Sequence, residues 1–206
     1  MPPKPKFTKE EIVAAALTLV SEKGMEALTA RELGLRLGSS ARPIFTVFQS
    51  MEEVQRQVRK AAMEHFNSFT EKAMNFSPAF KQFGMQMILF AKEEPRLFRL
   101  LFMTENGQTR SFADIFSELG DTAWLCIGLI ERDYGLTEPE AMELFRHVWI
   151  HTYGIGALCA TGMCSFSEEE INGMLGHAFL AMMLLIKSGK LQEKTVTPVE
   201  QNILSK

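Results

Sequence analysis

Cysteine is scarce in this chain. Three residues, Cys126, Cys159 and Cys164, make an odd number set in apolar stretches, so a disulfide framework is excluded. No apolar run follows the basic start MPPKPK, so no secretory signal is visible. Free, buried thiols in a reducing cytoplasm are the expected state; a redox pair of Cys159 with Cys164 would need an exposed thiolate. Eight Pro and fourteen Gly are too few for a loop-dominated protein, and few Val and Thr runs leave little material for strands. Neither sign of charge dominates: the net is −3, with 23% charged and 46% hydrophobic residues, which excludes a disordered or collagen-like chain. Charge is wholly absent from His147 to Ser167 and from Ile171 to Ile186. The first of these stretches has poor hydropathy, with two His and three Gly; the second is short for a membrane span and includes Asn172 and His177. Burial on all sides, within the subunit or between subunits, is the expected reason for both.

What is abundant is helix-forming material: thirteen Met with plentiful Ala, Leu and Glu. Thr8 with Glu11 forms a capping box ahead of Ile12, Ala16, Leu19 and Val20 at helical spacing, and Gly24 ends that helix. Thr29 with Glu32 starts a short helix through Leu33 and Leu37 that closes at Gly38, and a third helix begins after Ser40. Longer helices are predicted over 50–75, 78–94, 95–103, 112–134, 139–163 and 167–188, with Pro78, Pro95 and Pro139 at their starts. Asn106-Gly107 marks a turn between helices, and the tail after Gly189 is polar. The fold class is therefore all-α, about nine helices: a three-helix head over 1–50 and a larger helical body over 51–206. Charge follows that division, because residues 1–60 hold ten Lys/Arg against seven Asp/Glu and the remainder twelve against eighteen. A basic head suits an anionic partner, and the acidic body does not.

The head contains a helix-turn-helix pattern. From Ala30 as its first position, Leu33, Leu37, Ile44 and Val47 fall where two short helices bury apolar side chains against each other. Gly34 sits where a larger side chain would hold the helices apart, Gly38 sits at the turn, Ser39 replaces the usual apolar turn residue, and Pro43 lies in the first turn after Ser40. A helical hairpin that binds nothing would show the same spacing. The segments FTKEEIVAAALTLVSEKGMEALTARELGLRLG and SSARPIFTVFQSMEEV, however, resemble the TetR family of transcriptional regulators, whose heads open on Ile-x-x-Ala-Ala and continue through Thr-x-x-x-Leu-Ala-x-x-Leu-Gly to a Phe before a capped fourth helix. The rest of the chain resembles the family in size and helical layout, with some likeness of WIHTYGIGALCATG to its eighth helix.

The resemblance implies that Thr29, with Ala30 and Arg31 after it, starts a helix beside a phosphate, and that Ser40, Arg42, Pro43, Phe45 and Thr46 lie on the recognition helix after Ser39 at the turn, with Arg42 able to donate two bonds to guanine. Phe45 stands where the family usually has Tyr, and Met51 where a Lys is common, so two phosphate contacts are missing. It also implies a homodimer on a double-stranded DNA operator, released by a small molecule held in the body.

Elsewhere, Phe66, Phe90, Phe102 and Trp124 supply an apolar interior that is either simple core or the lining of a ligand cavity, with His147 and His151 as its polar contacts. Glu143, His147 and His151 share a helix face at metal-ligand spacing, but no fourth ligand is evident and no metal is expected. Two stripes suit a dimer interface: Trp149, Tyr153, Gly156 and Ala160, and Gly173, Gly176, Leu180 and Met183, with a core inside one subunit as the alternative. No phosphate loop or nucleophile constellation points to an enzyme, and no cofactor is expected. The expectation is a cytoplasmic, ligand-responsive transcriptional regulator, a repressor, whose effector is a neutral or cationic hydrophobic small molecule, with no membrane partner. The alternatives are a dimeric small-molecule-binding module that has lost DNA contact, and a metal or redox sensor.

Overall fold

The first helix, α1 (Lys9–Lys23), starts where its cap places it: Thr8 Oγ1 accepts from the Glu11 amide, and the Glu11 carboxylate accepts back from the Thr8 amide. In the computed structural model, which describes residues 5–103 and 111–189, eight more α-helices succeed it among the described residues, with no strand. They are α2 (Ala30–Arg36), α3 (Met51–Glu71), α4 (Ala79–Glu93), α5 (Pro95–Phe102), α6 (Phe112–Leu119), α7 (Asp121–Tyr134), α8 (Glu138–Ala160) and α9 (Glu168–Lys187). The Asn106-Gly107 turn and the tail after Gly189 lie outside the described residues.

Two expectations need correction. The segment after Ser40 is a single 3-10 turn, Ile44–Thr46, rather than an α-helix. Pro43 has no amide to donate and disfavours helical geometry at Arg42, while Thr46 Oγ1 donates to the Pro43 carbonyl at 2.7 Å and competes for it. The stretch 112–134 is two helices, because Gly120 turns the chain at φ +56°. One α-helix lost and one gained leave the number near nine.

Capping explains the remaining boundaries. Thr29 accepts from the Glu32 amide, but Glu32 does not complete the box; its carboxylate lies 3.7 Å from Lys23 Nζ instead. Ser50 caps α3 through the Glu53 amide, and Glu53 reaches one residue further back to the Gln49 amide. At the end of α8, Gly162 at φ +72° lets its own amide bond Cys159 and the Met163 amide bond Leu158, a Schellman stop. That stop leaves Cys164 in the exposed loop before α9, whereas Cys126 is buried and Cys159 partly so; the expectation of three buried thiols holds for one.

α4 organises the body. It packs most extensively on α8 and also meets α3, α5, α7 and α9, burying Phe80, Phe83, Met87, Ile88 and Phe90. One continuous apolar core runs from Ile12 in α1 to Ile186 in α9. α3 belongs to both ends of it, with Val54 and Val58 near the head and Phe66 and Phe69 among the body aromatics. α9 is the one described helix with the length and mean hydropathy, 1.2, of a membrane span. It lies on α8 and α4 with Ile171, Leu175, Met183 and Ile186 buried, while Leu180 and Leu184 stand in the open.

Candidate functional site

The head is held by its glycine. A methyl group at Gly34 would come within 2.9 Å of the Ala41 amide nitrogen and the Ser40 carbonyl carbon, so α2 and the segment after it touch backbone to backbone. Gly38 turns between them at φ +62°, and Leu33, Ile44 and Phe48 close the interior. Leu37 and Val47, also assigned to that interior, are half-buried against it. Met51, at the position where a lysine is common, packs on the same core.

The outward side carries the side chains expected there. Thr29, Arg31, Ser40, Arg42, Phe45 and Thr46 are exposed, and Ala30, Ser39 and Pro43 half-buried. The arginines differ in their commitments. Arg36 donates two bonds to the Glu22 carboxylate, at 2.6 and 2.8 Å, which holds the Glu22 carboxyl below the usual carboxylate range. Arg31 and Arg42 have no such partner among the described residues. Thr46 spends its hydroxyl hydrogen on the Pro43 carbonyl and so presents a methyl group and lone pairs. Lys6, which no sequence pattern singles out, donates to Ser39 Oγ at 3.0 Å and places a cation at the turn. Its one signal is the basic start itself, which carries no periodicity.

In the body, the aromatic residues separate into two groups. Phe66 and Phe90 are wholly enclosed and meet edge to face at 5.3 Å, with Phe102 against Phe66 at 5.1 Å. Trp124 stands apart, 54% exposed, edge-on to Phe116 at 5.2 Å. It lines an open cleft of about 470 Å³ between α3, α4 and α7, together with Asn67, Thr70, Glu71, Met74, Phe83, Asp121 and Cys126. That volume falls in the usual range for small-molecule sites. Burial alone pushes the Cys126 thiol up to about 12, so it is a neutral wall rather than a nucleophile. Cys159 is raised too, chiefly by burial.

His147 and His151 are not in this cleft. Both lie on the outer side of α8, His147 Nε2 3.7 Å from Glu143 Oε2, at the edge of a groove between the start of α8 and the end of α9. Among the described residues no three His, Cys, Asp or Glu are grouped to hold a metal ion. Of the first interface stripe, Trp149, Gly156 and Ala160 face the chain's own core and Tyr153 is half-buried; a methyl group at Gly156 would meet the Phe98 ring at 2.9 Å. Here the intramolecular alternative describes the packing, and helix spacing could not distinguish the two. On α9, Gly173 and Gly176 are half-exposed and Leu180 is 58% exposed, whereas Met183 turns inward. The outer side of α8 lies a quarter-turn away, with Ile150 exposed between His147 and His151 and Gly154 half-buried beside them.

Residues 12–58 match the family model described as bacterial regulatory proteins, tetR family. No curated protein matches the chain. Among solved structures, a TetR-family transcriptional regulator from Mesorhizobium loti shares 20% identity with a TM-score of 0.57, the alignment covering 85% of this chain and 95% of that one, a likeness of fold. The matched span contains the whole helix-turn-helix, its glycine contact and its outward arginines, so the head is similar to the DNA-binding domain of the tetR family of bacterial regulatory proteins, and the helical body behind it shares the fold of that solved regulator.

Proposed function

We propose that this protein is a transcriptional repressor that grips a palindromic operator as a homodimer and lets go when a small molecule enters the body. The supporting observation is α3. It is one uninterrupted helix of 21 residues whose first turns pack in the head, over 1–50, and whose last turns, at Asn67, Thr70 and Glu71, line the cleft of the body, over 51–206. A rigid helix of that length spans about 30 Å, so a ligand that prises the cleft tilts the base of the head. Two further contacts tie α1 to the junction of α4 and α5: Ser21 Oγ donates to Glu94 at 2.6 Å, and Arg96 donates to the Ser21 carbonyl at 3.4 Å. A ligand selective for the tilted form shifts the population away from the DNA-binding one.

The dimer of this reading uses the outer stripes, Ile150 with its flanking histidines on α8 and Gly173, Gly176, Leu180 and Leu184 on α9. The open leucines of α9, with Ile150 of α8 beside them, suit a second copy, and a two-fold axis there gives two recognition segments for two half-sites.

Fluorescence anisotropy of the purified chain with a library of duplex genomic fragments tests the proposal. Binding at low salt that falls steeply as salt rises, because neutralised phosphates release their counterions, is the expected result. A chain that selects no duplex at any salt overturns it.

A further inference from the structure

Two hollows in the body share a wall. Phe83 bounds the inner side of the open cleft, and the same side chain closes a seam between α4 and α8 where Met87, Phe145, Trp149 and Thr152 meet. The seam is almost filled, with a cavity volume of about 10 Å³. That is the least a single water requires. Trp149 is 8% exposed, and its Nε1–H is buried with no acceptor among the described residues. The indole is fixed by its neighbours: Tyr153 stacks on it at 5.5 Å and Phe112 meets it edge to face at 5.6 Å. Thr152, the other side chain of the seam with a donor, spends its hydrogen on the Val148 carbonyl at 2.8 Å. Trp149, on the apolar wall of the seam, thus carries its one uncommitted side-chain donor. A buried donor is costly while unpaired, so an acceptor brought to it gains more than the same group gains in water.

The outer cleft adds a charge filter. Glu71, at the end of α3, and Asp121, in the first turn of α7, stand on its lining, and no Lys or Arg does. A carboxylate or phosphate ligand would be repelled at the mouth and would have no cation waiting inside.

Resting on the ligand-responsive reading above, we infer that the effector is an uncharged, flat, apolar molecule with one hydrogen-bond acceptor of the carbonyl type. It enters over Trp124, swings Phe83 aside, and accepts from Trp149 Nε1–H in the widened seam. Met87, on the seam's wall, is flexible enough to repack around it.

Calorimetry on the full chain without DNA tests this with three naphthalene probes: the methyl ketone (acetonaphthone), ethylnaphthalene, which has the same shape and no acceptor, and naphthoate, its anionic counterpart. The ketone should bind the wild type, and naphthoate should bind more weakly, with the gap narrowing in the Glu71→Gln/Asp121→Asn double variant. Trp149→Phe keeps the ring and removes the donor; it should weaken the ketone about 3- to 10-fold and leave ethylnaphthalene unchanged. Phe83→Ala leaves the donor in place and should speed ketone association in stopped flow. Equal losses for ketone and hydrocarbon in Trp149→Phe, or no ketone binding by a folded wild type, overturn the inference. Anisotropy with the duplex library on the same preparations separates the two readings. Operator binding without ketone binding sinks this inference alone, and ketone binding without any duplex binding sinks the repressor reading alone.

Discussion

Arg36 and Arg42 lie close in sequence, on either side of the tight turn at Gly38, yet the structure gives them opposite work. Arg36 is fastened to Glu22, and Arg42 faces outward with no partner among the described residues. Arg42→Ala should therefore cost about 1–3 kcal/mol of operator affinity and relax preference at one base pair per half-site, with the Tm unchanged, as anisotropy on single-base operator variants would show. Arg36→Ala should lower the Tm slightly. Because Glu22 has a depressed folded pKa, its contribution is present above the ordinary carboxylate range and is lost as pH falls through the folded value, so calorimetric scans of wild type and Arg36→Ala should converge in acid. Thiol accessibility gives a second check at this scale. Cys164 should react with an aromatic disulfide reagent in the native protein, and Cys126, buried and raised to about 12, only on unfolding. Much of the head is legible residue by residue, since Gly34, Leu33 and the capping threonines each have a single steric or hydrogen-bonding reason to be where they are. Lys6 is not, because a cation near a chain start looks the same whether it meets a turn or water.

Among the elements, legibility tracks capping. α1 begins at a complete box, and its capping residues alone place it at the residue where it starts. The recognition segment reads as a helix in sequence because apolar spacing cannot report a missing amide at Pro43, and 112–134 reads as one helix because a glycine inside a periodic pattern is ordinarily tolerated. Gly120 and Gly128 show the difference. At Gly120 the positive φ makes any side chain strained, and Gly120→Ala should lower stability by about 1–3 kcal/mol. Gly128 lies inside α7 with open space around it, and Gly128→Ala should raise stability by about 0.5–1 kcal/mol. Denaturant melts of the two variants would give changes of opposite sign. Gly34→Ala, pressed against backbone, should cost about 1–3 kcal/mol in the same experiment.

At the level of the whole molecule, sequence periodicity finds which helices lack a charged face but not which face is spare. Trp149, Gly156 and Ala160 look like an interface stripe until Phe98 is seen filling the space above Gly156. The cleft likewise needs three helices brought together before Trp124 separates from the buried phenylalanines. For the proposed dimer, Leu180→Glu is a sharper probe than a charge at Gly176, because a side chain there would approach Lys81 Nζ of its own subunit. Sedimentation should show the Leu180→Glu chain as a monomer with unchanged helicity, and its operator affinity should fall along with the dimer. A dimer that survives Leu180→Glu places the interface elsewhere.

The unbroken run of α3 from the head interior to the cleft also acts as a phase lock. Each residue in an α-helix rotates the next by about 100° and advances it by about 1.5 Å. One residue inserted near the middle of α3 would therefore rotate Asn67, Thr70 and Glu71 out of the cleft while Val54 stayed in place. Four residues, a little more than a turn, would nearly restore the angle but lift the head off α5. Surface loops of this chain can be lengthened one residue at a time; the distance and bearing between its two working ends are fixed by a helix that tolerates no such increments.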